Sequence, residues 1–150
     1  MQRRYYNYAN FLSDIKILAA RLKQERFDCL VAVSRGGLTI AHFLATALDT
    51  RNIALIRAIG YVERQKLGAP RIENAPDLSG VKEALIVDDI IDGGETMQAV
   101  LKTLGDRYPN ASFKTAVIFQ KTPASIRANF FAQECEEWID FFWDVDPTKV

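Results

Sequence analysis

Apolar residues recur along the chain with two different periods. Phe11, Ile15, Leu18, Ala19 and Leu22 fall on one helical face, which predicts an amphipathic helix over residues 10–25 with Asn10 as its cap. "CLVAV" at 29–33 is a short, apolar, β-branched run with the character of a buried strand. "SRGG" breaks it, and "LTIAHFLATAL" (38–48) returns to helical spacing. "IALIRAI" (53–59), "ALIV" (84–87) and "FKTAVIF" (113–119) predict three more strands. Glu95 to Leu104 reads as a helix stopped by Gly105. Residues 60–80 are polar and hold two prolines and three glycines, the composition of a long loop. The tail from Ile126 to Val150 is rich in aromatic residues and shows no clear period.

Strand and helix in alternation imply an α/β fold, a Rossmann-like parallel sheet with helices on both faces. In such sheets ligands sit beyond the carboxyl ends of the strands. The residues at those ends are Ser34-Arg35-Gly36-Gly37, Asp88 to Thr96, and Gln120-Lys121. All three groups are rich in chemistry.

Composition narrows the function. A chain of 150 residues fits one domain, and 49% hydrophobic with 25% charged residues describes an ordinary globular protein. Lys plus Arg and Asp plus Glu both number 19, so no positive field favours nucleic acid or an anionic membrane. Cys29 and Cys135 form no CxxC pair and read as two free thiols of a reduced, cytoplasmic protein. "MQRRYYNYANF" has no signal-peptide core, and no segment approaches the ~20 apolar residues that span a bilayer.

The densest chemistry is "LIVDDIIDGGET" (85–96). Asp92 and Glu95 have the spacing of a helix N-cap and its reciprocal partner, with Glu95 then directed away from the loop. That leaves Asp88 and Asp89 without a purpose. Gly93 and Gly94 permit a tight turn at a helix start, where N–H groups and the helix dipole attract an anion, and Thr96 adds a hydroxyl donor. Carboxylates beside such a cradle suit hydrated Mg²⁺ or ribose hydroxyls.

This segment resembles the phosphoribosyl-pyrophosphate (PRPP) motif of type I phosphoribosyltransferases. "VAVSRGGL" (31–38) resembles the pyrophosphate loop of the xanthine-guanine branch, and "IFQK" (118–121) and "WIDFFWD" (138–144) its purine-binding segments. The resemblance implies one domain, 1–150, with a lid about 60–80 and a C-terminal purine-binding hood about 122–150. It implies that Asp88 and Asp89 hold the ribose hydroxyls, directly or through Mg²⁺, and that Asp92 is the general base near the purine N7 proton. Gly93, Gly94, Glu95 and Thr96 would surround the 5′-phosphate, although the family usually has Thr or Ser at Gly93 and a neutral residue at Glu95. Ser34, Arg35 and Gly36 would bind pyrophosphate, with a cis peptide between Ser34 and Arg35.

By the same resemblance Lys121 donates to a purine 6-oxo group, Trp138 stacks on the base, and backbone groups of Trp138 and Ile139 read its 2-position. Lysine carries donors only, which favours guanine, xanthine or hypoxanthine over adenine. Asp144, with Asp89, would organise Mg²⁺. Tyr61, Arg64 and Lys66 are the candidate lid residues. Trp143 reads as a core aromatic, and His42, in a helix, as a packing or subunit contact. The implied activity is purine salvage by a homo-oligomer with PRPP and a 6-oxopurine as its small-molecule substrates. The alternatives are another acceptor base, adenine or a pyrimidine, or a non-catalytic PRPP or nucleotide sensor.

Overall fold

The computed structural model describes residues 1–62 and 65–150, with side chains described outside 61–68. In chain order the elements are β1 (Arg3–Tyr6), α1 (Tyr8–Leu22), β2 (Cys29–Ser34), α2 (Gly37–Ala47), β3 (Ile53–Val62), β4 (Gln65–Asn74), β5 (Glu83–Ile91), α3 (Glu95–Arg107), β6 (Ser112–Lys121), β7 (Phe130–Cys135) and β8 (Trp138–Phe141). A 3₁₀ turn, Phe142–Asp144, follows β8.

Six strands form one sheet in the order β4-β3-β2-β5-β6-β7, parallel throughout except for the antiparallel edge pair β3–β4. Successive residues of the central strands point to opposite faces, and both faces are covered. Leu30, Ala32, Leu85 and Val87 pack under α1 and α2, against Phe11, Leu18, Ile40 and Leu44. Cys29, Val31, Ala84 and Ile86 pack under α3, against Met97, Val100 and Leu104. Burial on both faces is why these strands are continuous apolar runs rather than alternating ones. Both cysteines are buried and free. Among the described residues no helix is long and apolar enough to cross a membrane.

Several boundaries differ from the sequence reading for identifiable reasons. Helix α1 starts two residues earlier than expected, because Asn7, not Asn10, caps it: Asn7 Oδ1 accepts from the Asn10 amide at 2.8 Å. Gly105 does not stop α3, which continues to Arg107; open space beside Gly105 leaves packing indifferent to the missing side chain. The loop expected over 60–80 is mostly a hairpin, β3 returning through β4. Its polarity reflects an edge position, and Pro70 is tolerated there because an edge strand leaves one row of amides unpaired. Ion pairs Arg57–Glu73 (3.2 Å) and Arg71–Glu73 (2.8 Å) run along the same hairpin.

The tail resolves into β7, which extends the sheet, and β8, which leaves it. Strand β8 pairs in parallel with β1, matching Arg3 with Trp138 and Arg4 with Ile139. The hood over one end of the sheet is thus built from both ends of the chain, where the sequence pointed to residues 122–150 alone. Arg3 locks the pair with a forked contact to Asp140, Nε to Oδ2 at 2.9 Å and Nη2 to Oδ1 at 2.5 Å. Beneath it Tyr6 donates to the buried Asp14 (2.6 Å), which also accepts from Gln133 (2.7 Å), so β1, α1 and β7 share one carboxylate. Trp143 lies in this aromatic core, stacked on Phe141 with centroids 4.7 Å apart.

Candidate active site

A cavity of about 470 Å³ opens at the carboxyl ends of β5 and β6, under the hood. Its wall contains Asp88, Asp89, the whole of 92–96, Lys121, Trp138, Ile139 and Asp144. Three of the four sequence segments singled out therefore meet in one place, as the strand-end rule requires.

Strand β5 runs four residues past the apolar run that announces it, so Asp88 and Asp89 belong to the strand rather than to the loop after it. Burial at the sheet end pushes the Asp88 carboxyl well above its ordinary range, and the neighbouring Asp89 charge adds to it. Asp89 is raised to about 6, mainly by burial and further by the charge of Asp144. Asp144 is itself raised by burial, against the opposing charge of Arg35. The cavity floor holds carboxylates that burial and mutual repulsion push toward the protonated form, an arrangement that favours a cation or hydroxyl donors.

Asp92 does not cap α3. The N-cap is Gly94, in the left-handed region at φ 102°, a conformation glycine adopts without strain, and it supplies no side-chain cap. Asp92 turns instead to Lys121, with Nζ 3.1 Å from Oδ1; the lysine side chain is 15% exposed and the aspartate 52%. The same ammonium lies 5.8 Å from the centroid of the Trp138 ring, which is 46% exposed. A base, a donor-only cation and an accessible aromatic face thus stand together.

The turn after β2 meets the acidic strand end through Gly36. A side chain there would collide with the Asp89 carboxylate, whose Cγ and Oδ1 lie 2.5 and 2.8 Å from where a Cβ would sit. Gly37 packs against the backbone of Val87, letting α2 approach β5 closely. The Ser34–Arg35 peptide is cis, as the resemblance implied. Arg35 is exposed and does not line the cavity, although its charge reaches Asp144. His42 is exposed on α2, with its ring edge to Phe43, rather than packed in the core.

Residues 1–149 match the phosphoribosyl transferase domain family. The chain belongs to that family. It is 32% identical to the xanthine-guanine phosphoribosyltransferase of Gluconobacter oxydans over 143 residues, 91% of this chain and 82% of that one. The corresponding enzyme of Roseobacter denitrificans is 31% identical, covering 88% and 80%. The xanthine-guanine-hypoxanthine phosphoribosyltransferase structure from Helicobacter pylori superposes with a TM-score of 0.87 at 41% identity, over 99% of this chain and 97% of that one. A purine phosphoribosyltransferase from Pyrococcus horikoshii gives 0.83 at 27% identity, over 98% and 97%. The type I phosphoribosyltransferase fold expected from four short segments is the fold of the chain.

Within this phosphoribosyltransferase, the residues the sequence singled out separate into those that share the cavity and those that do not. Asp88, Asp89, Asp92, Gly93, Gly94, Glu95, Thr96, Lys121, Trp138, Ile139 and Asp144 line one cavity. Ser34, Arg35 and Gly36 flank it. Of the lid candidates, Arg64 lies outside the described residues; Tyr61 and Lys66 pair across the β3–β4 hairpin, with their side chains outside the description. Glu95 differs from its expected orientation: with no capping box to join, its carboxylate folds back over Gly93. Gly60 and Pro70 of the hairpin and Phe141 of the hood also line the cavity; sequence reasoning placed them within the lid and the purine-binding segment without singling them out. It missed Ser125, whose amide (2.8 Å) and hydroxyl (2.9 Å) both donate to the Gly93 carbonyl. The hydrophobic spacing carries no signal for a turn residue of that kind.

Proposed function

We propose that this protein transfers the 5-phosphoribosyl group of PRPP to N9 of a 6-oxopurine, giving the nucleoside monophosphate and pyrophosphate in purine salvage. The observation that carries the reading is the Lys121–Asp92 pair under Trp138, in one cavity with the acidic strand end and the 93–96 loop.

In this reading Trp138 covers the base and Lys121 donates to its 6-oxo oxygen, while backbone groups of Trp138 and Ile139 face the 2-position. Asp88 and Asp89 hold the ribose hydroxyls. The 93–96 amides and the Thr96 hydroxyl take the 5′-phosphate at the start of α3. Ser34, Arg35 and Gly36 hold the pyrophosphate, the guanidinium by paired hydrogen bonds. As the bond from C1 to the pyrophosphate oxygen breaks, positive charge develops on the ribose ring, as in glycoside cleavage. The N9–C1 bond forms, and the N7 proton passes to Asp92. Lys121 holds Asp92 aimed until base arrives, then shifts to the oxo group. Tyr61, Arg64 and Lys66 belong to the segment that excludes water.

Mg²⁺ fits these residues. Asp89 and Asp144 offer hard oxygen donors, and their upward-shifted carboxyls are electrostatically short of a cation. Among the described residues no cluster of three or more metal-binding side chains stands ready-made. Mg²⁺ ordinarily takes one or two carboxylates and completes its shell with water and substrate phosphate. When bound it would neutralise charge on the leaving pyrophosphate. The same reading makes the protein a cytoplasmic homo-oligomer, which light scattering of the purified chain checks.

Incubation with PRPP, Mg²⁺ and guanine, xanthine, hypoxanthine or adenine, with chromatography of the products, tests the proposal. GMP, XMP or IMP with equimolar pyrophosphate supports it. Turnover of adenine alone, or PRPP binding without turnover of any base, contradicts it.

A further inference from the structure

We infer that Glu95 is a resident anion of the 93–96 loop, a carboxylate that competes with the 5′-phosphate and sets how tightly substrate and product nucleotides are held. The inference rests on the proposed role of that loop as the phosphate cradle.

Position 93 has no backbone need for glycine, since Gly93 is not among the described glycines of positive φ, which are Gly80 and Gly94. What it needs is space, and Glu95 fills it. A Cβ at 93 would collide with Glu95 Oε2 and stand 2.7 Å from Oε1 and 2.8 Å from Cδ. The carboxylate therefore sits against the loop, in the wall of the cavity. A negative group there is favoured by the first turn of the 13-residue helix α3, whose N-cap Gly94 offers no side-chain acceptor. A phosphate is drawn to the start of the same helix, and carries more charge.

The loop has little freedom to move aside. Ser125 pins the Gly93 carbonyl through its amide and its hydroxyl. Gly94 is hemmed in, with Ser125 Oγ and Ile126 N only 2.5 and 3.1 Å from where a Cβ would lie. Admission of a phosphate thus requires the Glu95 side chain to rotate out, and its repulsion remains nearby afterwards. Affinity is lowered, and the nucleotide product leaves faster in consequence.

The test is calorimetric binding of GMP and of guanosine to the wild type, E95Q, G93A and the double variant. E95Q keeps the shape and removes the charge, so GMP should bind roughly fivefold tighter, with guanosine unchanged. G93A displaces the carboxylate by volume alone and should tighten GMP in the same direction. The double variant should bind no more tightly than E95Q, because both changes remove one competitor. GMP affinity unaltered in E95Q, while the wild type still prefers GMP to guanosine, overturns the inference and leaves the phosphate cradle standing. A wild type that binds guanosine as tightly as GMP overturns the cradle itself.

Discussion

At Gly36 and Gly37 the missing side chain serves two different ends. Gly37 faces backbone: a methyl group there would sit 3.0 Å from the Val87 carbonyl carbon and closer still to its oxygen, and neither atom can rotate away. G37A should therefore destabilise the fold by about 1–3 kcal/mol, read from the denaturation midpoint. Gly36 faces the Asp89 carboxylate, which can swing. G36A should keep a melting temperature near the wild type yet lose most transfer activity, since the acid leaves its place. Asp89 shows the cost of the site directly. Its folded pKa of about 6 lies above the ordinary value of 3.8. The folded state then binds more protons across that interval, so stability falls as pH rises from about 4 to 6 and does not recover above it. D89N removes the buried charge. Its melting temperature should match the wild type near pH 4 and exceed it at pH 8, while activity disappears; equal values at pH 8 would show that burial of Asp89 carries no penalty.

Elements were legible in proportion to their burial. β2, β5 and β6 lie in the middle of the sheet, are covered on both faces, and announce themselves as apolar runs. β4 at the edge, and β1 and β8 in the hood, expose much of their length, so polar residues such as Arg71, Glu73, Arg3 and Asp140 mask them. The Arg3–Asp140 contact that locks β1 to β8 joins residues 137 apart in sequence, which no local pattern reveals. Small devices also set where an element begins. Asp28 accepts from the Lys82 and Glu83 amides at 2.8 and 2.9 Å and fixes the start of β5. Those two amides hold its carboxyl below the ordinary value. A lowered folded pKa gives stability above the unfolded pKa that is lost as pH falls through the folded one. D28A should lower the melting temperature at pH 7 and much less at pH 3; an equal loss at both would assign Asp28 to packing alone.

For the whole molecule, the alternation of strands and helices located the cavity before any coordinate did, because parallel sheets gather their strand ends at one edge. The ordering of motifs along the chain supplied Asp88, Asp89, Asp92, Lys121 and Trp138, and all five line one cavity. The contacts between motifs were hidden. Asp92 bonding Lys121, Glu95 folding over Gly93 and Ser125 gripping the loop each join side chains whose approach depends on the finished fold. In the proposed reaction the first of these contacts sets Asp92 as the proton acceptor beside a base held by Lys121. Steady-state turnover and PRPP affinity of D92N test that claim most directly. Turnover should fall by roughly 100-fold or more, the ordinary worth of a general base, while PRPP affinity stays within about threefold. Wild-type turnover in D92N would contradict the account.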